Sequence, residues 1–146
     1  MLVRLLYASR EADPVNAETL AAILRVSKEK NHAAGVTGVL CHCGTSRIFM
    51  QVLEGGRAQV STLFNRISQD RRHRDVVLLS YEEIGERSFS GWSMGQVSMS
   101  PLNPALLLKY SESAVLDPYS VPGKASLALF YELVATASVA APSATP

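Results

Sequence analysis

The stretch IFMQVLEGG (Ile48–Gly56) reads as a strand, entered at Arg47 and complete by Leu53, that runs into the turn Glu-Gly-Gly. Period-two spacing puts Phe49, Gln51 and Leu53 on one face. Gln51 is the odd member of that face. A primary amide has several hydrogen-bonding groups, and leaving them unpaired in a core costs about 1–3 kcal/mol. Something on that face must bond it. Outward from this strand, GVTGVLCHC has strand character on one side, with the loop GTSR between. On the other side, residues 57–69 place Val60, Leu63, Phe64 and Ile67 at helical spacing. Residues 2–8, LVRLLYA, supply a first strand. Residues 13–31 supply a helix with Asn16 as its cap, Glu18 and Thr19 in its first turn, and Leu20, Ile23 and Leu24 as its apolar stripe. DVVLLSYEEI and FSGWSMGQVSM read as fourth and fifth strands. The order β-α-β-β-α-β, plus one strand, predicts a ferredoxin-like α+β fold: a sheet with two helices on one face. Beyond residue 100, PALLLKYSESAV and GKASLALFYELVATA predict two amphipathic helices separated by LDPYSVPG. Such a pair caps the open face of the sheet or forms an interaction surface.

The chain of 146 residues is 47% hydrophobic and 18% charged, with a formal net charge of +1. That balance speaks against nucleic acid or an anionic membrane as partner. The one basic cluster, Arg71 to Arg74, is short and closed by Asp70 and Asp75. No apolar run approaches the roughly 20 residues that span a bilayer. The first ten residues lack the layout of a signal peptide, so a cytoplasmic location is expected. Cys41 and Cys43 flank His42, but no second Cys/His pair stands at zinc spacing. Free thiols in a reducing compartment, and no metal site, is the expectation.

The polar residues that fit a core poorly converge. Ile23, Ser27 and Asn31 follow one stripe of the first helix at i, i+4, i+8. Tyr7 ends the first strand, which this architecture places beside the third. Ile67 and Asp70 close the second helix. Together they outline a slot between the two helices, floored by the sheet. Its walls are apolar (Ile23, Phe49, Leu53, Ile67), and amides and a phenol lie at its base. That suits a flat heteroaromatic ligand whose ring edge alternates C=O and N–H, as an isoalloxazine does. A phosphate tail would leave toward Arg72 and His73. The plainer alternative has Gln51 bonding neighbouring backbone, with Tyr7 as a core tyrosine.

Over roughly residues 1–100 the sequence resembles the BLUF family, blue-light sensors that hold FAD. The resemblance is carried by RLLYAS, by Asn31 four residues before Gly35, and by GVTGVL, FMQVLEG, RISQDRRH and FSGWSM, in this order. It implies a flavin-binding domain over residues 1–100; the amphipathic pattern predicts a helical extension over 101–140, and the low-complexity composition predicts a disordered tail over 141–146. It further implies FAD, with FMN as the alternative, between the two helices. The cofactor-binding residues would be Tyr7, Ile23, Ser27, Lys30, Asn31, Phe49, Gln51, Leu53, Ile67, Asp70, Arg72 and His73. Lys30 departs from the Asn, His or Arg that members often carry there. The C-terminal helices suggest the short, stand-alone members, which carry no enzyme.

What the family does implies a mechanism. Tyr7 bonds Gln51, Gln51 reaches the flavin N5/C4=O edge, and Asn31 bonds the same ring. Under blue light Tyr7 gives an electron, then a proton through Gln51; the charges recombine and the glutamine amide is left rearranged, with a small red shift. Neither cysteine takes part. Trp92 and Met94, two apart on the expected fifth strand, would then share a face and pass the change to the C-terminal helices, a downstream signalling protein and a homo-oligomer. Two competitors on the same topology are an acylphosphatase-like hydrolase, using the Arg of LLYASR beside Asn31, and an RNA-binding module. The third strand, RIFMQVL, lacks the exposed aromatics the latter needs.

Overall fold

The computed structural model describes residues 1–98 and 102–136. Five strands, β1 (Leu2–Glu11), β2 (Thr37–Cys43), β3 (Ile48–Gly56), β4 (His73–Ile84) and β5 (Gly95–Ser98), form one sheet in the order β4-β1-β3-β2-β5. All neighbours are antiparallel except β2 and β5. Helices α1 (Ala17–Ala34) and α2 (Arg57–Gln69) cover one face. Helices α3 (Pro104–Tyr110) and α4 (Gly123–Thr136), joined through a 3₁₀ turn at Pro118–Ser120, cover the other. This is the ferredoxin-like α+β arrangement with its open face capped.

Alternation along the strands feeds two separate cores. On the α1/α2 side lie Val3, Leu5, Tyr7, Phe49 and Leu53 with Leu20, Leu24 and Val60. On the α3/α4 side Leu6, Ala8, Met50 and Val52, with the buried Cys41 and Cys43, meet Leu107, Leu129, Phe130 and Leu133. The local signals act as expected. Asn16 Oδ1 accepts from the Thr19 amide at 2.8 Å, capping α1. At the other end Gly35 takes φ 71°, a left-handed turn that closes the helix and sends the chain into β2.

Several boundaries move, each for a physical reason. The turn expected at Glu-Gly-Gly is strand: Glu54, Gly55 and Gly56 pair with Arg4, Val3 and Leu2, because β1 is long enough to satisfy their backbone groups. The fifth strand, expected from residue 89, is confined to Gly95–Ser98 within the described residues, Met99 lying outside them. Ser90 and Gly91 turn the chain instead, with the Trp92 amide bonded back to the Phe89 carbonyl at 3.0 Å. The first C-terminal helix stops at Tyr110, where Ser111 caps it, well short of residue 115. The tail expected to be disordered, residues 141–146, lies outside the described residues.

Candidate functional site

Register brings the photochemical candidates together. Tyr7 on β1 stands directly opposite Gln51 on β3, and Leu40 on β2 stands opposite Gln51 on the other side. All three point into a cleft between α1 and α2. The Tyr7 hydroxyl donates to Gln51 Oε1 at 2.5 Å, and Gln51 Nε2 donates to the Met94 sulfur at 3.1 Å. The amide is therefore bonded at both ends while buried, as are Tyr7 and Met94. The glutamine bonds side chains, not neighbouring backbone as the plainer alternative had it.

The empty space of the cleft, solvent at its open mouth included, comes to about 690 Å³. Ile23, Leu24, Leu63 and Ile67 form its helical walls, and Leu40 and Phe49 line its floor. Val15, just ahead of α1, adds to the rim, and Ser27 and Asn31 add polar groups. Asn31 is 2% exposed and spends one amide N–H on the Ser93 carbonyl, at a long 3.4 Å. Behind Phe49, the His42 ring makes a tilted contact with it at 4.8 Å and engages the buried Glu11 carboxylate, which Arg47 also meets.

The mouth carries charge, most of it internally matched. Arg72 chelates Asp70 through Nε and Nη2, and its own amide donates to Asp70 Oδ1. That bonding holds the Asp70 carboxyl below, and the Arg72 guanidinium above, their ordinary values. His73 reaches inward: Nε2 meets the Ile67 carbonyl and Nδ1 lies 2.9 Å from Ser9 Oγ. A neutral ring bonded this way donates from Nε2 to the carbonyl and accepts from the serine at Nδ1. Burial pushes the Tyr7 phenol well above its ordinary value, and the Asp70 charge adds to the effect. Tyr7 is therefore a proton-holding phenol at neutral pH, in tilted contact with Phe64 at 5.6 Å.

Of the residues expected at the site, Tyr7, Ile23, Ser27, Asn31, Phe49, Gln51, Ile67, Asp70, Arg72 and His73 line this one cleft. Leu53 does not: it is fully buried beneath the floor, two residues too far along β3. Lys30 lines a neighbouring groove with Arg66, because it sits one position off the stripe of Ser27 and Asn31. The expectation that Trp92 and Met94 share a face is corrected. Without a strand before Gly95 there is no alternation to align them, and they lie on opposite sides of the sheet. Met94 is in the cleft-side core against Gln51, and Trp92 packs with Phe89 toward α4. The Trp92 ring lies over the Gly95 backbone, where an added Cβ would stand 2.1 Å from it. Leu24, Leu40, Leu63 and Val15 were missed. Leu63 lies one turn from Ile67 and Leu24 three residues before Ser27, so helical spacing held the signal for both. Leu40 needed the β2–β3 register.

The hydrolase and RNA alternatives lose their footing. Arg10 lies on the face away from Asn31, 3.5 Å from Asp75 and 4.4 Å over the Tyr119 ring. The sheet face an RNA would need is covered by α3 and α4.

A ferredoxin-like sheet with a cleft between its two helices, apolar in its walls and floored by a coupled phenol and amide, has the makeup of a small-molecule-binding module. A sequence model of the family described as sensors of blue-light using FAD matches residues 2–95, and the chain belongs to that family, BLUF. The photoactivated adenylate cyclase subunit alpha of Euglena gracilis is 38% identical over 88 residues, which are 60% of this chain but 8% of that protein. The chain thus spans a small fraction of the cyclases it matches. Among solved structures, BlsA in its photo-activated state is similar with a TM-score of 0.83 at 29% identity, covering 97% of this chain and 99% of that one. BlrB, a BLUF protein in its dark state, gives 0.75 at 31% identity, covering 92% and 95%. The family is one of flavin-binding light sensors. Among the described residues no helix is long and apolar enough to cross a membrane.

Proposed function

We propose that this protein senses blue light through FAD held non-covalently between α1 and α2, and signals by rearranging the Gln51 amide. The observation that carries the reading is the buried line Tyr7 Oη, Gln51, Met94 Sδ, in which one carboxamide bridges a phenol and a thioether at the floor of an open cleft. The donor set fits the cofactor. The apolar side chains of the two helices would flank a flat ring, and Asn31 and Gln51 would each offer a donor and an acceptor to its polar edge. Ser27 adds a hydroxyl, and Asp70 and Arg72 stand at the mouth, where a ribityl phosphate would emerge. His73, committed to Ser9 and Ile67, shapes that mouth more than it binds.

Bound flavin supplies the blue-light absorption and an excited-state oxidant. Tyr7 supplies the oxidisable phenol, and its proton has a defined acceptor in Gln51 Oε1. A glutamine whose amide is left turned over, with the proton back on Tyr7, presents its N–H group to Tyr7 and its oxygen to Met94. A sulfur that accepted an N–H would then face an oxygen, so Met94 must move or the amide must find another partner. Met94 sits where the chain enters β5, and so the change reaches the elements that continue into α3 and α4.

The output is read by a downstream protein and shaped by homo-oligomerisation. The exposed Leu108 and Val115 on the C-terminal side support such contacts, as do Val77, Leu78 and Tyr81 on the edge strand β4. The test is an absorption spectrum of the purified protein, reconstituted with FAD, before and after blue illumination. A flavin spectrum that shifts slightly to the red and returns in darkness is expected. Failure to take up flavin, or a bound flavin with no reversible shift, overturns the reading.

A further inference from the structure

Residues 85–94 form a strap that leaves the edge strand β4, crosses one end of the sheet, and enters β5 at the opposite edge. On its way it passes the ends of β1, β3 and β2, and each holds it. Glu54, at the far end of β3 from the loop, is fully buried with its carboxylate on the α4 side. Its Oε1 accepts the Phe89 amide at 2.8 Å; its Oε2 accepts the Ser88 amide at 3.0 Å and Arg4 Nε at 2.8 Å. Arg4 also donates to Ser88 Oγ and Glu82 and lies 5.7 Å over the Tyr131 ring of α4. Burial works against the Arg4 charge, but its bonds to Glu82 and Glu54 outweigh that and keep its pKa raised. Further along, the Trp92 carbonyl accepts the Gly38 amide at 2.9 Å, and Met94 meets Gln51. Phe89, fixed by Glu54, stacks on Tyr131 at 5.9 Å and 19° and meets Phe130 edge-on.

We propose that Glu54 is a positioning residue for the light response: its carboxylate fixes the strap so that a displacement at Met94 is delivered through Phe89 to α4. This rests on the proposed light-sensing function. A carboxylate that receives two successive backbone amides and a guanidinium is a rigid anchor, because each bond is charge-assisted and shielded from water. With it in place, the four residues between Phe89 and Met94 have one end pinned against α4 and the other on the photoactive amide.

The test uses Glu54→Gln in the full flavin-loaded chain, read by the light-induced red shift, the rate of dark recovery, and light-minus-dark hydrogen exchange of α4. Glutamine leaves one acceptor oxygen and replaces the other with a donor that opposes Arg4 and the Ser88 amide. The red shift should persist, since the Tyr7–Gln51 pair lies on the other face. Recovery should quicken by about threefold or more, and the light-dependent exchange difference in α4 should fall at least by about half. A purely structural role lowers the melting temperature and leaves recovery and the α4 difference at wild-type values; that outcome overturns the proposal. Should Glu54→Gln fail to fold, Phe89→Leu carries the same test, because it keeps the anchor and removes the ring contacts with Tyr131 and Phe130. An unchanged α4 response there overturns it too. Absence of a red shift in the unsubstituted protein would instead sink the light-sensing reading itself, so the two failures are distinguishable.

Discussion

Replacing Gln51 with leucine tests the photochemical line most directly, and the structure sets the size of the effect. Leucine keeps much of the glutamine volume but supplies neither acceptor nor donor. Tyr7 is 3% exposed, and its hydroxyl, bonded among the described residues to Gln51 Oε1, loses that partner. A buried hydroxyl left unpaired costs about 1–3 kcal/mol, while the added apolar surface, worth about 25 cal/mol per Å² buried, returns part of it. The Met94 sulfur, a weak acceptor, loses little. The net expectation is a loss of about 1 kcal/mol in the flavin-free protein, a roughly fivefold fall in the folding constant, with the same denaturant slope. Flavin uptake should survive, since the apolar walls Ile23, Leu24, Leu63 and Ile67 are untouched. The light-induced red shift should vanish, because no amide remains to rearrange. The assay pairs urea unfolding with a light-minus-dark difference spectrum of the reconstituted variant. A shift of ordinary size in Gln51→Leu would refute the reasoning, whatever the stability change.

Tyr7→Phe should bind flavin yet lose the reversible photocycle, having no phenol to give up an electron and a proton; flash spectroscopy that found the cycle unaltered would contradict the role assigned to it. For pH, Tyr7 has its folded value raised above the unfolded value of 10.0, so the stabilisation from its neutral form is complete below pH 10 and is lost only as pH climbs toward the folded value. The red shift should therefore hold its amplitude up to that point, and a titration midpoint on Tyr7 below pH 10 would be inconsistent with its burial. Truncation ahead of α3 should cost solubility. Leu107, Leu129, Phe130 and Leu133 are all buried against the sheet, at about 1.5–3 kcal/mol each when fully covered, which together rivals the usual 5–15 kcal/mol of net stability. Sedimentation and dark-recovery measurements on the truncated chain, both matching the full chain, would show that these helices do not belong to the core.

The sequence carried the topology and most of the cleft for one reason: both depend on periodicity. Helical spacing placed Ile23, Ser27 and Asn31 on one stripe, and strand alternation placed Phe49 and Gln51 on one face. What escaped it depended on register or on turns. Alternation alone could not say how far along β3 the cleft reaches, so Leu53 was assigned to a wall when it lies under the floor. The segment 89–94 looks like an alternating strand in composition, yet Ser90-Gly91 turns it, and a turn erases the alternation that seemed to ally Trp92 with Met94. Glu54 gave no signal at all. An acidic residue before two glycines reads as a turn, and only its partners, Arg4 fifty residues upstream and two amides over thirty residues downstream, reveal a buried carboxylate.

The two-sided sheet restricts how a change in the cleft can reach the helices on the far face. Side chains alternate, so Gln51 faces the cleft while its neighbours Met50 and Val52 face α3 and α4. A signal through the sheet would have to shift the β3 backbone. That strand is bonded along its whole length to β1 on one side and for seven residues to β2 on the other. Moving it disrupts two ladders at once, which a single amide rearrangement worth about 1 kcal/mol cannot drive. The route around the end of the sheet is less constrained. Between Phe89 and Met94 the strap is held by individual bonds, from Glu54, Gly38 and Asn31, and by aromatic contacts that can slide. An energy of that size can shift the balance between two arrangements of such a segment several-fold. Under the light-sensing function proposed above, the cleft and the C-terminal helices would couple where the sheet is weakest, at the strap entering β5, and Met94, bonded to the Gln51 amide, rather than Trp92 would begin that coupling.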